Sequence, residues 1–156
     1  MPHFNAFDLL KWLHLVAFAV AGGAAVVALL LSGFEDTRED LRGLAATVWS
    51  KVVAWGFRLA FLLGVLLLVM KFKRGEHPFD YSYLHFKITL AVLLLAFSEM
   101  APKALARAKR GAAMLALMLF LLTSFLGIAG ANLLGLTRGG KERMLAPAAA
   151  ATVQPQ

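Results

Sequence analysis

The amino-acid sequence contains no cysteine among its 156 residues. Disulfide bonds, thiolate catalysis and thiolate-bound iron–sulfur clusters are therefore excluded, and histidine is left as the natural ligand for a soft metal ion or a haem iron. Acidic residues are also scarce, with 9 Asp and Glu against 16 Lys and Arg. Only Glu99 lies near a long apolar run, so the sequence disfavours an ion or small-molecule transporter built on membrane carboxylates.

The formal net charge of +7 does not indicate nucleic acid as a partner, because no nucleic-acid motif accompanies it. The basic residues flank the apolar runs instead, where they suit the headgroups of a lipid bilayer. They are Lys71, Lys73, Arg74, Lys103, Arg107, Lys109, Arg110, Arg138, Lys141 and Arg143. We therefore expect a protein surrounded by lipid, with no nucleic-acid partner.

Apolar residues make up 60 % of the chain and fall into four blocks. Those at 9–31, 48–70 and 112–136 each supply about the 20 residues that a bilayer requires, and the block at 84–101 is shorter but sufficient. Because backbone amides in hydrocarbon must be satisfied within their own helix, the sequence predicts an all-α integral membrane four-helix bundle. We expect a multi-pass protein of the cell inner (plasma) membrane, with one domain at 1–138 and an Ala/Pro-rich tail at 139–156.

The connecting segment 32–47 carries acidic residues interleaved with arginines. It lacks the ligand spacing of a calcium-binding loop. We expect a short amphipathic surface helix or a loop, with its charged residues as a solvated face.

Two histidines lie inside the apolar runs, and ionisable side chains in a bilayer are functional candidates by default. His14 is about five residues into the first span and His85 about one or two residues into the third; since these spans run in the same direction, their depths differ by only about 5–6 Å. If both rings face inward, they supply two axial nitrogens for a b-type haem. Ordinary anchoring at the membrane interface is the alternative. A zinc or copper site is disfavoured because no third ligand is evident at that depth.

Further polar residues are candidates for holding the polar groups of such a cofactor. Lys87 is expected to steady a haem propionate or an anionic substrate. Arg58 lies about ten residues into the second span, and it is expected to face the bundle, paired with a carboxylate, a carbonyl or an anionic cofactor group. An interhelical contact between Arg58 and Glu99 is an equally open alternative, although a surface cap also explains Glu99. Asn132, near the end of the fourth span, is expected to bond across the bundle.

The pattern K-x-x-H-x-x-x-x-x-x-x-G-G at 11–23, with YLHFK leading the third span, resembles the HemJ-type protoporphyrinogen oxidases and the CopD-like membrane proteins. Those families share a four-helix layout, a histidine early in the first helix and H-x-K at the start of the third. The resemblance covers roughly residues 8–135 and implies that His14, His85 and Lys87 are the functional positions. It also implies a haem b protein that oxidises protoporphyrinogen IX to protoporphyrin IX and passes electrons onward in the membrane.

A function of a different class also fits the sequence, namely a non-catalytic accessory subunit of a larger respiratory or photosynthetic membrane complex. Small residues such as Gly22, Gly23 and Gly127 suit close helix approach. The tail at 139–156 offers a segment for a neighbouring subunit to hold. Protein partners in a membrane complex, or further copies of the chain, are therefore left open.

Overall fold

The computed structural model describes residues 5–75 and 82–127, and every regular element in these ranges is helical. The α-helices are α1 (Ala6–Phe34), α2 (Leu44–Val48), α3 (Ala54–Lys73), α4 (Ser82–Leu105) and α5 (Gly111–Gly127). A 3-10 turn at Glu39–Leu41 follows α1, and a π-helical stretch at Trp49–Val53 joins α2 to α3. The prediction of an all-α fold is confirmed.

Three stretches of the described chain are long and apolar enough to cross a membrane: Ala6–Phe34, Glu39–Lys73 and Leu84–Leu105. They overlap the first three predicted spans: the first is three residues longer at each end, the second begins nine residues earlier and ends three later, and the third ends four residues later. The helix α5 begins where the fourth span was expected, and the part of that span beyond residue 127 lies outside the described residues. Asn132 and the tail at 139–156 lie outside them too. The chain is thus a helical membrane protein.

The helix α4 continues through Pro102 and ends three residues later, at Leu105. Because proline has no N–H, the carbonyl four residues earlier, that of Ser98, lacks its helical hydrogen bond. The indole Nε1 of Trp49 donates to this carbonyl at 3.0 Å, in a fully buried position. The proline therefore creates an acceptor that ties the π-helical stretch to α4.

The helix α1 packs most extensively against α3. Its buried face is a stripe of small side chains, namely Ala17, Ala21, Gly22, Ala25, Ala28 and Ser32. A Cβ atom added at Gly56 on α3 would lie 2.8 Å from the Cβ of Ala21, so glycine is required there for the observed approach. Small residues let membrane helices approach closely, which brings side chains of α1 within reach of the α3 backbone.

An aromatic cluster fills the middle of the bundle and joins three helices. The ring centroid of Phe120 lies 4.7 Å from that of Phe18 and 5.8 Å from that of Phe57. A Cβ added at Gly22 would lie 2.1 Å from Cζ of Phe120, which confirms that Gly22 permits close packing. An added Cβ at Gly23 would meet open space. The expected close packing is therefore found at Gly22 and not at Gly23.

The acidic segment after α1 makes side-chain contacts with α2 and with Arg110, the residue before α5. The carboxylate of Glu35 accepts a hydrogen bond from the backbone N–H of Ala45 at 2.6 Å, near the start of α2. The guanidinium of Arg110 donates to the carbonyl of Ser32 at 2.5 Å and forms an ion pair with Asp36. These contacts therefore hold the end of α1 against the start of α5.

Candidate functional site

His14 projects from α1 toward α3, and its ring is half-buried. The ring atom Nδ1 lies 2.7 Å from the carbonyl oxygen of Ala60. A carbonyl only accepts, so Nδ1 carries the proton and Nε2 of the neutral ring presents a lone pair. Metal-ligating histidines are commonly held in this way, with one ring N–H donated to a backbone carbonyl. The local geometry therefore orients the His14 ring as a ligand or a proton acceptor.

The His14 ring occupies a space that Gly64 leaves open on α3. A Cβ added at position 64 would lie 3.1 Å from Cε1 of the ring. The other side of the ring stacks on Phe18, with centroids 6.2 Å apart and planes inclined by 15°. Gly64 was not among the predicted site residues, although an isolated glycine within a helical apolar run is a signal of close approach.

Lys87 on α4 is half-buried and belongs to the inward face of that helix. Leu90, Leu94 and Ser98 continue this face at helical spacing, and all three are buried. The Nζ atom of Lys87 lies beside Gly127 of α5, 3.4 Å from where a Cβ would stand. Within the described part of the chain Lys87 has no carboxylate partner, so it adds an unbalanced positive charge to the site.

His85 lies elsewhere on the same helix. Two residues turn an α-helix by about 200°, so His85 and Lys87 project from nearly opposite faces of α4. The side chain of His85 is exposed on the outside of the bundle. The structure therefore places Lys87, and not His85, on the inward face of α4. Metal ligation by the two histidines stays a prediction, and this placement opposes their binding of one iron within one chain.

Arg58 and Glu99 form an ion pair between α3 and α4. The guanidinium donates from Nε to one carboxylate oxygen at 2.6 Å and from Nη2 to the other at 2.5 Å. The same guanidinium lies 5.0 Å from the ring centroid of Trp55. The expected contact of Arg58 with a carboxylate is confirmed, and Glu99 lies at the surface of the described bundle. Both side chains are 40 % exposed, which corrects the expectation that Arg58 faces the bundle interior.

The donor set at the inward site fits a haem in part. His14 supplies one oriented imidazole, and Lys87 supplies a cation for a carboxylate group of the macrocycle. Among residues 5–75 and 82–127 there is no cluster of three or more His, Cys, Asp or Glu side chains placed to hold a metal ion. The described residues thus offer one oriented imidazole and one ammonium, and no protein-ligated metal centre is formed among residues 5–75 and 82–127.

No family model, curated protein or solved structure matches this chain. The fold and the site define its class as a multi-helix membrane protein with an inward histidine–lysine pair and a separate outward arginine–glutamate pair.

Proposed function

We propose that the chain is a membrane haem protein that acts in electron transfer or porphyrinogen oxidation, with His14 as an axial ligand of a b-type haem. The observation that carries the proposal is the hydrogen bond from Nδ1 of His14 to the Ala60 carbonyl, which leaves Nε2 with a lone pair. Ionisable residues within membrane spans are functional candidates by default, and His14 is one whose ring is oriented by a backbone carbonyl.

Each neighbouring residue has a role in this proposal. The Ala60 carbonyl fixes the tautomer and the direction of the His14 ring. Lys87 pairs with a haem propionate or with the carboxylate of an anionic porphyrin, which balances a charge that has no carboxylate partner in the described ranges. Phe18 and its aromatic neighbours keep water from the site. A bound haem supplies one-electron redox chemistry at a potential set by its ligands and surroundings.

The resemblance to HemJ-type proteins supports the same proposal, because His14 and Lys87 are two of the three positions that it marks. It extends the proposal to an activity, the oxidation of protoporphyrinogen IX, and to a location in the cell inner (plasma) membrane. The cluster of juxtamembrane cations suits a membrane with anionic lipids.

The test is the absorption spectrum of protein purified from its membrane and reconstituted with haem. Wild-type protein is expected to show a Soret band, and His14→Ala is expected to lose it. His85→Ala is the matched control, since it removes an imidazole from the outer face of α4, and it is expected to keep the band. Lys87→Met is expected to keep the band but to release haem more readily.

An unchanged Soret band in His14→Ala, or no band in the wild type, would overturn the proposal. Loss of the band in both histidine variants would instead favour ligation by both rings. That result would require α4 to turn about its axis so that His85 faces the bundle.

A non-catalytic accessory subunit is the second candidate function. The observation that favours it is the exposed position of the Arg58–Glu99 pair. Charged residues within membrane spans normally face protein or water, so an exposed pair favours a neighbouring protein over lipid alone. Purification with large partner proteins and without bound tetrapyrrole would support this candidate.

A further inference from the structure

The outward face shared by α3 and α4 carries an ion pair between two helical stretches that are long and apolar enough to cross a membrane. Arg58 lies 14 residues after Leu44 and 15 before Lys73, which are the ends of one continuous helical stretch. At 1.5 Å per residue its backbone is therefore about 21 Å from either end, near the middle of a span. Glu99 lies closer to one end of its helix, and the guanidinium reaches toward it.

Lipid tails offer this ion pair no hydrogen-bonding groups. A guanidinium has five N–H donors, and two of them are engaged by Glu99. Both side chains are 40 % exposed, so part of the pair's hydrogen-bonding capacity lies at the surface of the described bundle. Unsatisfied polar groups in hydrocarbon are costly, so charged residues in spans normally face protein or a water-filled cavity. The exposed pair therefore indicates that protein covers this face.

The surface of α3 next to the Arg58 guanidinium has an open apolar groove. A cavity of about 250 Å³ opens on the outside of α3 and is lined by Trp55, Gly56, Arg58, Leu59 and Leu62. Leu62 is 64 % exposed and Trp55 is 60 % exposed. Apart from the guanidinium, this lining is apolar, as the side of a helix that packs against another membrane helix must be.

We propose that this face is a dimer interface, occupied by the same face of a second copy of the chain. Charge complementarity favours this occupant. A bidentate Arg–Glu pair has no net charge, yet it presents donors at one end and acceptors at the other. A two-fold axis at the groove places the donors of each Arg58 opposite the acceptors of the other copy's Glu99. A self-complementary patch of this kind is what a two-fold interface requires.

The interface differs from the proposed haem site in position and in chemistry. His14 and Lys87 face the inside of the bundle, whereas the groove opens on its outside. Dimerisation is therefore independent of haem binding, and each proposal is testable without the other.

The experiment uses the absence of native cysteine, because a single introduced cysteine is then the only thiol in the chain. Leu62→Cys and Leu59→Cys place a thiol in the groove. Leu121→Cys on α5 is the matched control, since it replaces an equally apolar and similarly exposed leucine on a different helix. Each full-length variant is reconstituted in lipid vesicles at a low ratio of protein to lipid and treated with a short bis-maleimide.

We expect covalent dimers from both groove variants, several-fold more abundant than from Leu121→Cys. Adding Glu99→Ala to Leu62→Cys is expected to reduce the dimer band several-fold. Adding both Arg58→Glu and Glu99→Arg, which exchanges the two charges, is expected to restore it. Circular dichroism identifies any variant that has lost its helical structure.

Dimer bands no stronger in the groove variants than in Leu121→Cys would overturn the proposal. A single-molecule photobleaching count of one copy per vesicle spot for the wild-type chain would also overturn it. Crosslinks to another protein in native membranes, without self-crosslinks in vesicles, would replace the second copy with a different partner and refute the dimer.

Discussion

Two charged sites lie within the spans, and they differ in direction and in pairing. The inward site joins His14 and Lys87, where the cation has no carboxylate partner in the described ranges and the imidazole is fixed by a backbone carbonyl. The outward site joins Arg58 to Glu99 in a neutral bidentate pair on the surface of the bundle. One site has unbalanced charge inside the protein, and the other has balanced charge outside it.

The difference indicates two kinds of ligand. An unbalanced cation beside an oriented imidazole requires an anion, which favours a small molecule with carboxylate groups. A balanced pair requires no counter-ion but still needs hydrogen-bonding groups around it, which favours a protein surface. The aromatic cluster of Phe18, Phe57 and Phe120 joins α1, α3 and α5, and its member Phe18 stacks on the His14 ring of the inward site.

The largest expected effect comes from breaking the outward pair. Glu99→Ala leaves a guanidinium without its carboxylate at bilayer depth, and we expect it to lower the midpoint of unfolding more than substitutions in the aromatic cluster or at the inward site do. Unfolding by added SDS, followed by circular dichroism in mixed micelles, measures the change. Arg58→Met combined with Glu99→Met is the control, because removal of both charges is expected to recover most of the stability. Equal stability of Glu99→Ala and the wild type would show that water, not protein or lipid, covers this face.

The next largest effect is expected in the aromatic cluster, where Phe120 packs against Gly22. Gly22→Ala places a methyl group 2.1 Å from Cζ of Phe120, and we expect a loss of about 1–3 kcal/mol from overpacking. Gly23→Ala is the matched control; its methyl group meets open space, so a gain of up to about 1 kcal/mol from helix propensity is expected. Both values come from the same SDS unfolding assay.

The Gly22→Ala variant also tests whether the sites are independent. Displacement of Phe120 is expected to reach His14 through Phe18 and to change haem retention. The cysteine crosslinking of the outward groove is expected to stay as in the wild type. A parallel loss of both properties would mean that the cluster couples the sites.

The sequence was sufficient to predict the helical spans, because long apolar runs have few alternatives in a bilayer. The Arg58–Glu99 contact was one of two alternatives for Arg58, since a deep arginine needs a partner. The face of α4 that packs against the bundle could not be predicted from the sequence. Helical period alone shows that His85 and Lys87 point in opposite directions, but α4 is apolar on both sides, and no polar stripe indicated which of the two faced the bundle.

The contacts that orient His14 were also beyond prediction. They depend on a backbone carbonyl of Ala60 and on the space at Gly64, and backbone groups within a regular helix leave no mark on the sequence. The small stripe of α1 could be recognised as a packing face, but its partner helix depends on the whole arrangement of the bundle.

A smaller effect is expected at the inward site. Lys87→Met removes a cation that has no carboxylate partner in the described ranges, and we expect the haem-free protein to gain about 1–2 kcal/mol. The gain is limited because Lys87 lies within two turns of the start of α4, where its ammonium can approach the interface. Lys87→Arg is the control and is expected to change the unfolding midpoint little. Destabilisation by Lys87→Met would mean that the ammonium already has a stabilising partner, and the contrast between the two sites would disappear.

The smallest loss of stability is expected at the buried hydrogen bond between Trp49 and the carbonyl of Ser98, the residue before Glu99. Trp49→Phe removes the hydrogen bond to the Ser98 carbonyl, which Pro102 leaves without a helical donor, while it keeps an aromatic ring in the core. Interhelical hydrogen bonds in membrane proteins average about 0.6 kcal/mol, so a loss of that size is expected in the SDS assay. Trp12→Phe, which alters an exposed indole on α1, is expected to be neutral. Because Glu99 follows Ser98 directly, a crosslinking yield that falls with Trp49→Phe would show that this hydrogen bond also positions the outward pair.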